Sequence, residues 1–231
     1  MTRKLDSSKE RLLAWLDMFF VNHGFFREIY NNVHALPGGM YRCSQPSPRQ
    51  IRKYRRKYGI RSIINLRGAD DSGRYALEEA ACRELGIELI NHKGILSRSA
   101  PEVKVIQATK VLFENLEYPA MLHCKSGADR AGFASVLYRH FRLGDPIEKA
   151  LSELGWIYGH IKSSKTGILD AFFYDYLAYN AKTPIEFMTW VETVLRSRSA
   201  ARPLPRQGLG RLCRRQSARP RMTPSVTESH A

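Results

Sequence analysis

The 231-residue chain predicts an α/β fold: a short, parallel-type sheet of four to five strands flanked by helices, with an N-terminal helix and a disordered C-terminal tail. Three observations lead there. Short runs rich in β-branched and apolar residues, IRSIINL (60–66), IELI (87–90) and AMLHC (120–124), read as strands. Segments with apolar residues at helical spacing lie between them, and strands that alternate with helices pair in parallel. The composition, 43% hydrophobic and 26% charged, is that of a soluble globular protein able to fill one core.

Residues 9–31 read as a helix. Leu12, Leu13, Leu16, Phe19, Phe20 and His23 share a stripe that Trp15, Met18, Phe25 and Phe26 broaden. That breadth leaves two readings: a helix docked on the domain, and an interfacial helix in peripheral contact with a membrane. GGMYRCS (38–44) reads as a strand entering a turn at QPSP. Ser47 then caps a helix that Pro48 starts and Gly59 stops. RYALEEAACRELG (74–86) is helical, and Pro101 starts a helix running to about Glu117. AMLHC leads into a loop and a helix over 130–143. Further helices fit 146–154, 168–180 and 184–195, the last with Thr183, Pro184 and Glu186 in a capping-box arrangement. These elements divide the chain into an extension (1–34), a domain (35–195) and an arginine-rich tail (196–231).

A net charge of +15 and a pI near 9.9 favour acidic partners: nucleic acid, anionic lipid or phosphorylated substrates. The excess is uneven. Nine arginines and a single acid, Glu228, lie from Arg196 onward, which leaves +7 for residues 1–195. Without periodic hydrophobicity, that tail is expected to be disordered. Cys43, Cys82, Cys124 and Cys213 lie far apart without metal-ligand spacing, which points away from a zinc site or a disulfide framework and toward a reducing compartment. The run LLAWLDMFFV is interrupted by Asp17 and too short to span a bilayer, and no small-x-small cleavage site follows it. The expected location is the cytoplasm, with a peripheral membrane contact through residues 9–31.

The stretch HCKSGADRAG (123–132) carries the chemistry. A strand that runs into a glycine-containing loop and then a helix is the layout of a phosphate cradle. Backbone N–H groups and the positive end of the helix converge on one spot. Cys124 stands at the base of that cradle. The N–H groups and Arg130 favour thiolate over thiol, so the site that binds a phosphate also ionises a nucleophile aimed at its phosphorus. The planar fork of Arg130 grips two phosphoryl oxygens and stabilises charge during transfer. Gly127 and Gly132 permit tight backbone geometry and close helix packing.

HCKSGADRAG resembles the H-C-x5-R signature of the cysteine-based protein tyrosine and dual-specificity phosphatase superfamily. MYRCSQPSP followed by GIRSIINLRG is similar to the opening of its small bacterial dual-specificity-like members, so the resemblance covers roughly residues 35–180. It implies a phosphomonoester phosphatase that works through a cysteinyl-phosphate intermediate, without metal or cofactor. Residue by residue, it implies Cys124 as nucleophile, Arg130 as phosphate clamp, and the backbone of Lys125, Ser126, Gly127 and Ala128 as the oxyanion cradle. His123 would tune the thiolate; a merely packed His123 is an equal alternative.

Two departures stand out. Members usually carry Ser or Thr after the arginine, a hydroxyl thought to help the thiolate leave; Ala131 stands here. The usual aspartate on the loop before the motif is also missing: NHKGILSRSAPE holds only Glu102. The general acid is expected first at Asp129, which resembles a CxxGxDR pattern of some lipid-directed and bacterial members, then at Asp70 or Asp71. Lys125, Arg98 and Arg67 would enlarge the positive field at the mouth.

The substrates this implies are phosphotyrosine or phosphoprotein on one hand and anionic phospholipid on the other, with nucleic acid set aside. Ala131 and the missing acid keep a catalytically weak phosphate-binding module in play. A sulfurtransferase of the rhodanese type fits the x5 spacing poorly. Cys43 or Cys82 would protect Cys124 as a reversible disulfide if either lies beside it.

Overall fold

A computed structural model describes residues 7–16 and 31–197 of the chain. Its strands are β1 (His34–Leu36), β2 (Met40–Ser44), β3 (Ser62–Asn65), β4 (Glu88–Asn91) and β5 (Ala120–Cys124). They form one sheet in the order β1-β2-β5-β3-β4, parallel throughout except where β1 pairs antiparallel with β2. AMLHC is buried at every position, as a near-continuous apolar run in a strand covered on both faces must be. Strand β5 is therefore central, and Cys124 sits at its carboxyl end, level with Ser44 of β2.

Around the sheet lie α1 (Ser8–Leu16), α2 (Pro48–Tyr58), α3 (Gly73–Glu84), α4 (Val103–Asn115), α5 (Asp129–Leu143), α6 (Ile147–Ala150), α7 (Ile168–Asn180) and α8 (Phe187–Trp190). Side chains alternate along β5. Ala120, Leu122 and Cys124 join a large core with Phe133, Val136, Phe173 and Trp190, while Met121 joins a smaller one with Cys43, Ile51, Ile63 and Cys82 on the other face. Ring contacts knit α5, α7 and α8 together, Phe133 and Phe173 having centroids 4.9 Å apart. Such pairs add about 0.5–1.5 kcal/mol each beyond their burial.

The expected α/β architecture is the one found. The start of α2 carries the full capping box, Ser47 accepting from Gln50 N–H and Gln50 Oε1 accepting from Ser47 N–H, and Gly59 closes it at φ 68°. Three readings need correction. Strand β1 was not foreseen, because HAL is too short to show alternation and Pro37–Gly39 obscures its end. The single helix expected over 146–154 divides into α6 and a 3₁₀ turn at Leu151–Glu153. The last helix is capped by Glu186 itself, which accepts from Thr189 N–H at 2.8 Å, and not by Thr183.

Helix α1 meets α3 through Ala14, which is fully buried where a Cβ on Gly73 would come within 2.6 Å of its Cα. Leu12, Leu13 and Leu16 stay exposed, so the helix docks through Ala14 and Trp15, against Leu77, and not through its leucine stripe. The readings for residues 17–30, for Cys213 and for the arginine-rich tail lie outside the described residues. Among the described residues, no helix is long and apolar enough to cross a membrane.

Candidate active site

The loop after Cys124 is shaped from its outer side. Gly127 adopts φ +75°, and a Cβ there would stand 2.7 Å from the carbonyl carbon of Cys43 and 2.8 Å from Ser44 N, so only glycine lets the loop lean on β2. Arg42 projects from β2 and is fully buried. Its Nη2 donates to the carbonyls of Gly127 (2.8 Å) and Ala128 (3.1 Å), while Nη1 donates to the Glu153 carbonyl (2.7 Å) and to Glu153 Oε2 (3.1 Å). Asn32 Nδ2 donates to the carbonyl of Ser126 at 3.0 Å and to that of Tyr158 at 2.9 Å. Three consecutive carbonyls, Ser126 to Ala128, are thus drawn to the outside of the loop.

In a trans peptide the N–H points opposite to the C=O. The amides of Gly127, Ala128 and Asp129 therefore turn the other way, forming an N–H-lined concavity that suits an anion. Helix α5 begins at Asp129 with no side chain capping its first turn, which adds its positive end to the same place. Arg130, in that first turn, reaches across the carboxyl end of β3 and donates from Nη1 to the Leu66 carbonyl at 3.3 Å.

His123 is fully buried on the sheet's other face. Its Nε2 lies 2.5 Å from Glu78 Oε1 of α3, and its Nδ1 lies 3.4 Å from the Cys124 carbonyl. Glu78 Oε2 accepts from Gln45 Nε2 at 2.7 Å, and Gln45 Oε1 accepts from Arg67 at 2.6 Å and from Arg74 at 3.4 Å. Arg74 in turn pairs with Asp70. The residue before Cys124 is thus one end of a polar chain that runs to Arg67 and Asp70.

Of the carboxylates weighed for the acid, Asp129 has the most specific setting. Its Oδ1 accepts from His160 Nδ1 at 2.7 Å, and His160 Nε2 donates to the fully buried Asp170 Oδ2 at 2.5 Å. Burial alone would push the His160 imidazole down; hydrogen bonds to Asp129 and Asp170, with their charges, outweigh it and raise its pKa to about 9. His160 therefore carries a proton at neutral pH.

Asp70 is set differently. Burial favours its neutral form, but hydrogen bonds from Ser72 N–H and Oγ and the charges of Arg74 and Arg67 hold it below the usual carboxylate range. It anchors the entry to α3 and is a poor proton donor. Asp71 is exposed, and Glu102 is a solvent-facing partner of Lys104 at 2.9 Å. Lys125, Ser126 and Arg98 are also exposed.

Cys43 and Cys82 both sit in the smaller core, across the sheet from Cys124, and burial pushes both thiols up. The sheet thus stands between them and Cys124, and the condition for a protective disulfide, that either lie beside Cys124, is not met. Among the described residues, no set of three His, Cys, Asp or Glu side chains is arranged to hold a metal ion. Arg42, Asn32, Glu78 and His160 went unnoticed in the sequence. One cue was available: an arginine inside MYRCS, a strand with no other charge, has to find a buried partner.

No family model and no curated protein sequence matches the chain. Solved structures do. The chain is similar to TpbA of P. aeruginosa at TM-score 0.50 and 18% identity, over 63% of this chain and 84% of that one. It is also similar to PTPMT1 (TM-score 0.48, 16% identity, 65% and 99% of the two chains). A third is the core catalytic domain of the PP-IP phosphatase SIW14 from S. cerevisiae, in complex with citrate (TM-score 0.47, 15% identity, 68% and 96%). The likeness to TpbA shows the fold, the sheet-and-helix arrangement of the tyrosine and dual-specificity phosphatases that the H-C-x5-R resemblance implied.

Proposed function

We propose that the chain is a cysteine-dependent phosphomonoester phosphatase that forms a phosphocysteine on Cys124. The observation that carries this reading is the set of three outward-tied carbonyls, which leaves the amides of residues 127–129 free to hold phosphoryl oxygens beside the Cys124 sulfur. Arg130 releases the Leu66 carbonyl and grips two of those oxygens. The sulfur of Cys124, as thiolate, attacks phosphorus and the ester P–O bond breaks. Asp129 passes the proton it shares with His160 to the departing oxygen. In the second half, water attacks the phosphorus, the P–S bond breaks, the thiolate is restored and the water's proton returns through Asp129 to His160.

Release of inorganic phosphate from a small aryl phosphate by the full chain, compared with Cys124→Ser, tests the reading. The variant should lose at least about 10³-fold, since a serine hydroxyl in that position is a far weaker nucleophile. Equal release by both proteins would end the proposal.

Ala131 supports a second reading. It is fully buried and offers no hydroxyl to the departing thiolate, so breakdown of the phosphocysteine is the slow step. An initial burst of alcohol followed by slow phosphate release is expected; saturable phosphate binding with no release at all would make the chain a binding module. Substrates of either class, phosphoprotein or anionic phospholipid, suit the exposed Lys125, Lys162 and Lys165, as does a cytoplasmic, membrane-peripheral location.

A further inference from the structure

The segment GWIYGHIK (155–162) is held against the cradle from one side and holds apolar side chains out on the other. Tyr158 lies under the Arg42 guanidinium, 3.9 Å from its carbon, and edge-on to His34 at 4.7 Å. Its carbonyl shares Asn32 Nδ2 with the carbonyl of Ser126. His160 is pinned between Asp129 and Asp170. Between these anchors the chain makes a tight turn, Gly159 N–H donating to the Trp156 carbonyl at 2.8 Å with Gly159 at φ +81°. The turn presents Trp156 at 83% exposure, Ile157 at 52% and Ile161 at 61%.

Single exposed leucines need no explanation, but a tryptophan and two isoleucines on one anchored turn form a patch that asks for a cover. We infer that this turn inserts into the interface of an anionic bilayer and seats the cradle over a lipid-borne phosphomonoester.

Three features fit a bilayer. Tryptophan with aliphatic neighbours suits the headgroup boundary, where an amphipathic ring finds both its environments. Exposed lysines surround the patch, Lys162 and Lys165 following it and Lys125 on the loop beside it, and they complement an anionic headgroup layer. A second apolar set lies at the same end of the sheet. Helix α1 packs through Ala14 on the start of α3, beyond the carboxyl end of β3, and shows Leu12, Leu13 and Leu16 to solvent. Two apolar sets on separate elements at one end of the sheet match a broad surface better than a peptide groove. This inference rests on the phosphatase reading above and names its substrate class.

The test uses the full chain with vesicles of phosphatidylcholine alone or mixed with phosphatidylglycerol. The wild type should sediment with the mixed vesicles and much less with the neutral ones. The triple variant Trp156→Ser, Ile157→Ser, Ile161→Ser should lose about tenfold or more of that partition, while hydrolysis of a soluble aryl phosphate stays within about twofold. Retained hydrolysis shows that the variant is folded. Brominated lipid should quench a fluorescence component present in the wild type and missing in Trp156→Phe.

Unchanged partition in the triple variant, or none in the wild type, overturns the inference. Tight phosphopeptide binding that the triple variant loses, without vesicle binding, assigns the face to a protein partner and overturns it too. Failure of the phosphatase reading looks different: vesicle binding persists and no substrate releases phosphate.

Discussion

On the β2 side of the cradle, the carbonyls of Ser126, Gly127 and Ala128 each meet a donor from Asn32 or Arg42, and Gly127 has no room for a side chain. On the mouth side, Lys125, Ser126, Trp156, Ile157 and Ile161 face solvent. The two sides of one loop therefore obey different rules. Burial at the floor makes each polar bond costly to lose, so the floor fixes geometry and hence chemistry. The rim is free to vary without unfolding anything, so on the phosphatase reading proposed above it is where a substrate would be chosen.

The sharpest way to break this contrast is at the floor. Arg42→Met would leave the buried Glu153 with Arg139 as its remaining charge partner and take a donor from the carbonyls of Gly127, Ala128 and Glu153, for a loss of about 3–5 kcal/mol, read as a drop in denaturant midpoint at constant slope. A loss no greater than that of Trp156→Ser would erase the distinction.

His160 comes next. Its folded pKa, about 9, lies above its ordinary value of 6.5, so its contribution is complete at low pH and disappears as pH rises through about 9. Asp129 of α5 and Asp170 of α7 face it, with Lys162 3.7 Å from Asp170. Wild-type stability should fall by about 3 kcal/mol or less between neutral pH and pH values above 9, and His160→Gln should flatten that slope. Parallel profiles would contradict the pairing.

Arg130→Lys keeps the charge and loses the fork. It should lower kcat about 10²-fold for an aryl phosphate, with folding intact by circular dichroism. Smaller again is the leaving-group effect of the relay. Asp129→Asn and His160→Gln should slow an alkyl phosphate by about tenfold more than an aryl phosphate, because only the alkoxide needs a proton to depart. Equal slowing of both substrates would reduce the pair to a structural role. Mild peroxide should leave no bridge from Cys124 to Cys43 or Cys82: peptide mass mapping is expected to find Cys124 as sulfinic or sulfonic acid, since both lie across the sheet. A Cys124–Cys43 disulfide would contradict that placement.

What the sequence disclosed and what it hid follow the same division. Strands such as AMLHC and helices with proper caps were legible because their signals are local: β-branched or apolar runs, Ser47 before Pro48, Gly59 at the stop. The cradle was legible too, since Cys124, Gly127 and Arg130 lie within seven positions of one another. Its supports were not. Arg42 reaches Gly127 across 85 positions, Asn32 reaches Ser126 across 94, and His160 reaches Asp129 across 31. Contacts of that separation leave no periodic trace. Asp70 misled for a different reason: its partners Ser72 and Arg74 are only two and four positions away, but a sequence pattern does not show that their hydrogen bonds and charge hold the carboxylate ionised.

The central claim is that Cys124 takes up the phosphoryl group itself. Rapid acid quenching of the full chain during turnover of an aryl phosphate, followed by peptide mass mapping, tests it most directly. One phosphoryl group on the peptide that contains Cys124, absent from Cys124→Ser and accumulating because Ala131 slows its hydrolysis, is the expected result. Phosphate release with no adduct on that peptide, undiminished in Cys124→Ser, would contradict the account.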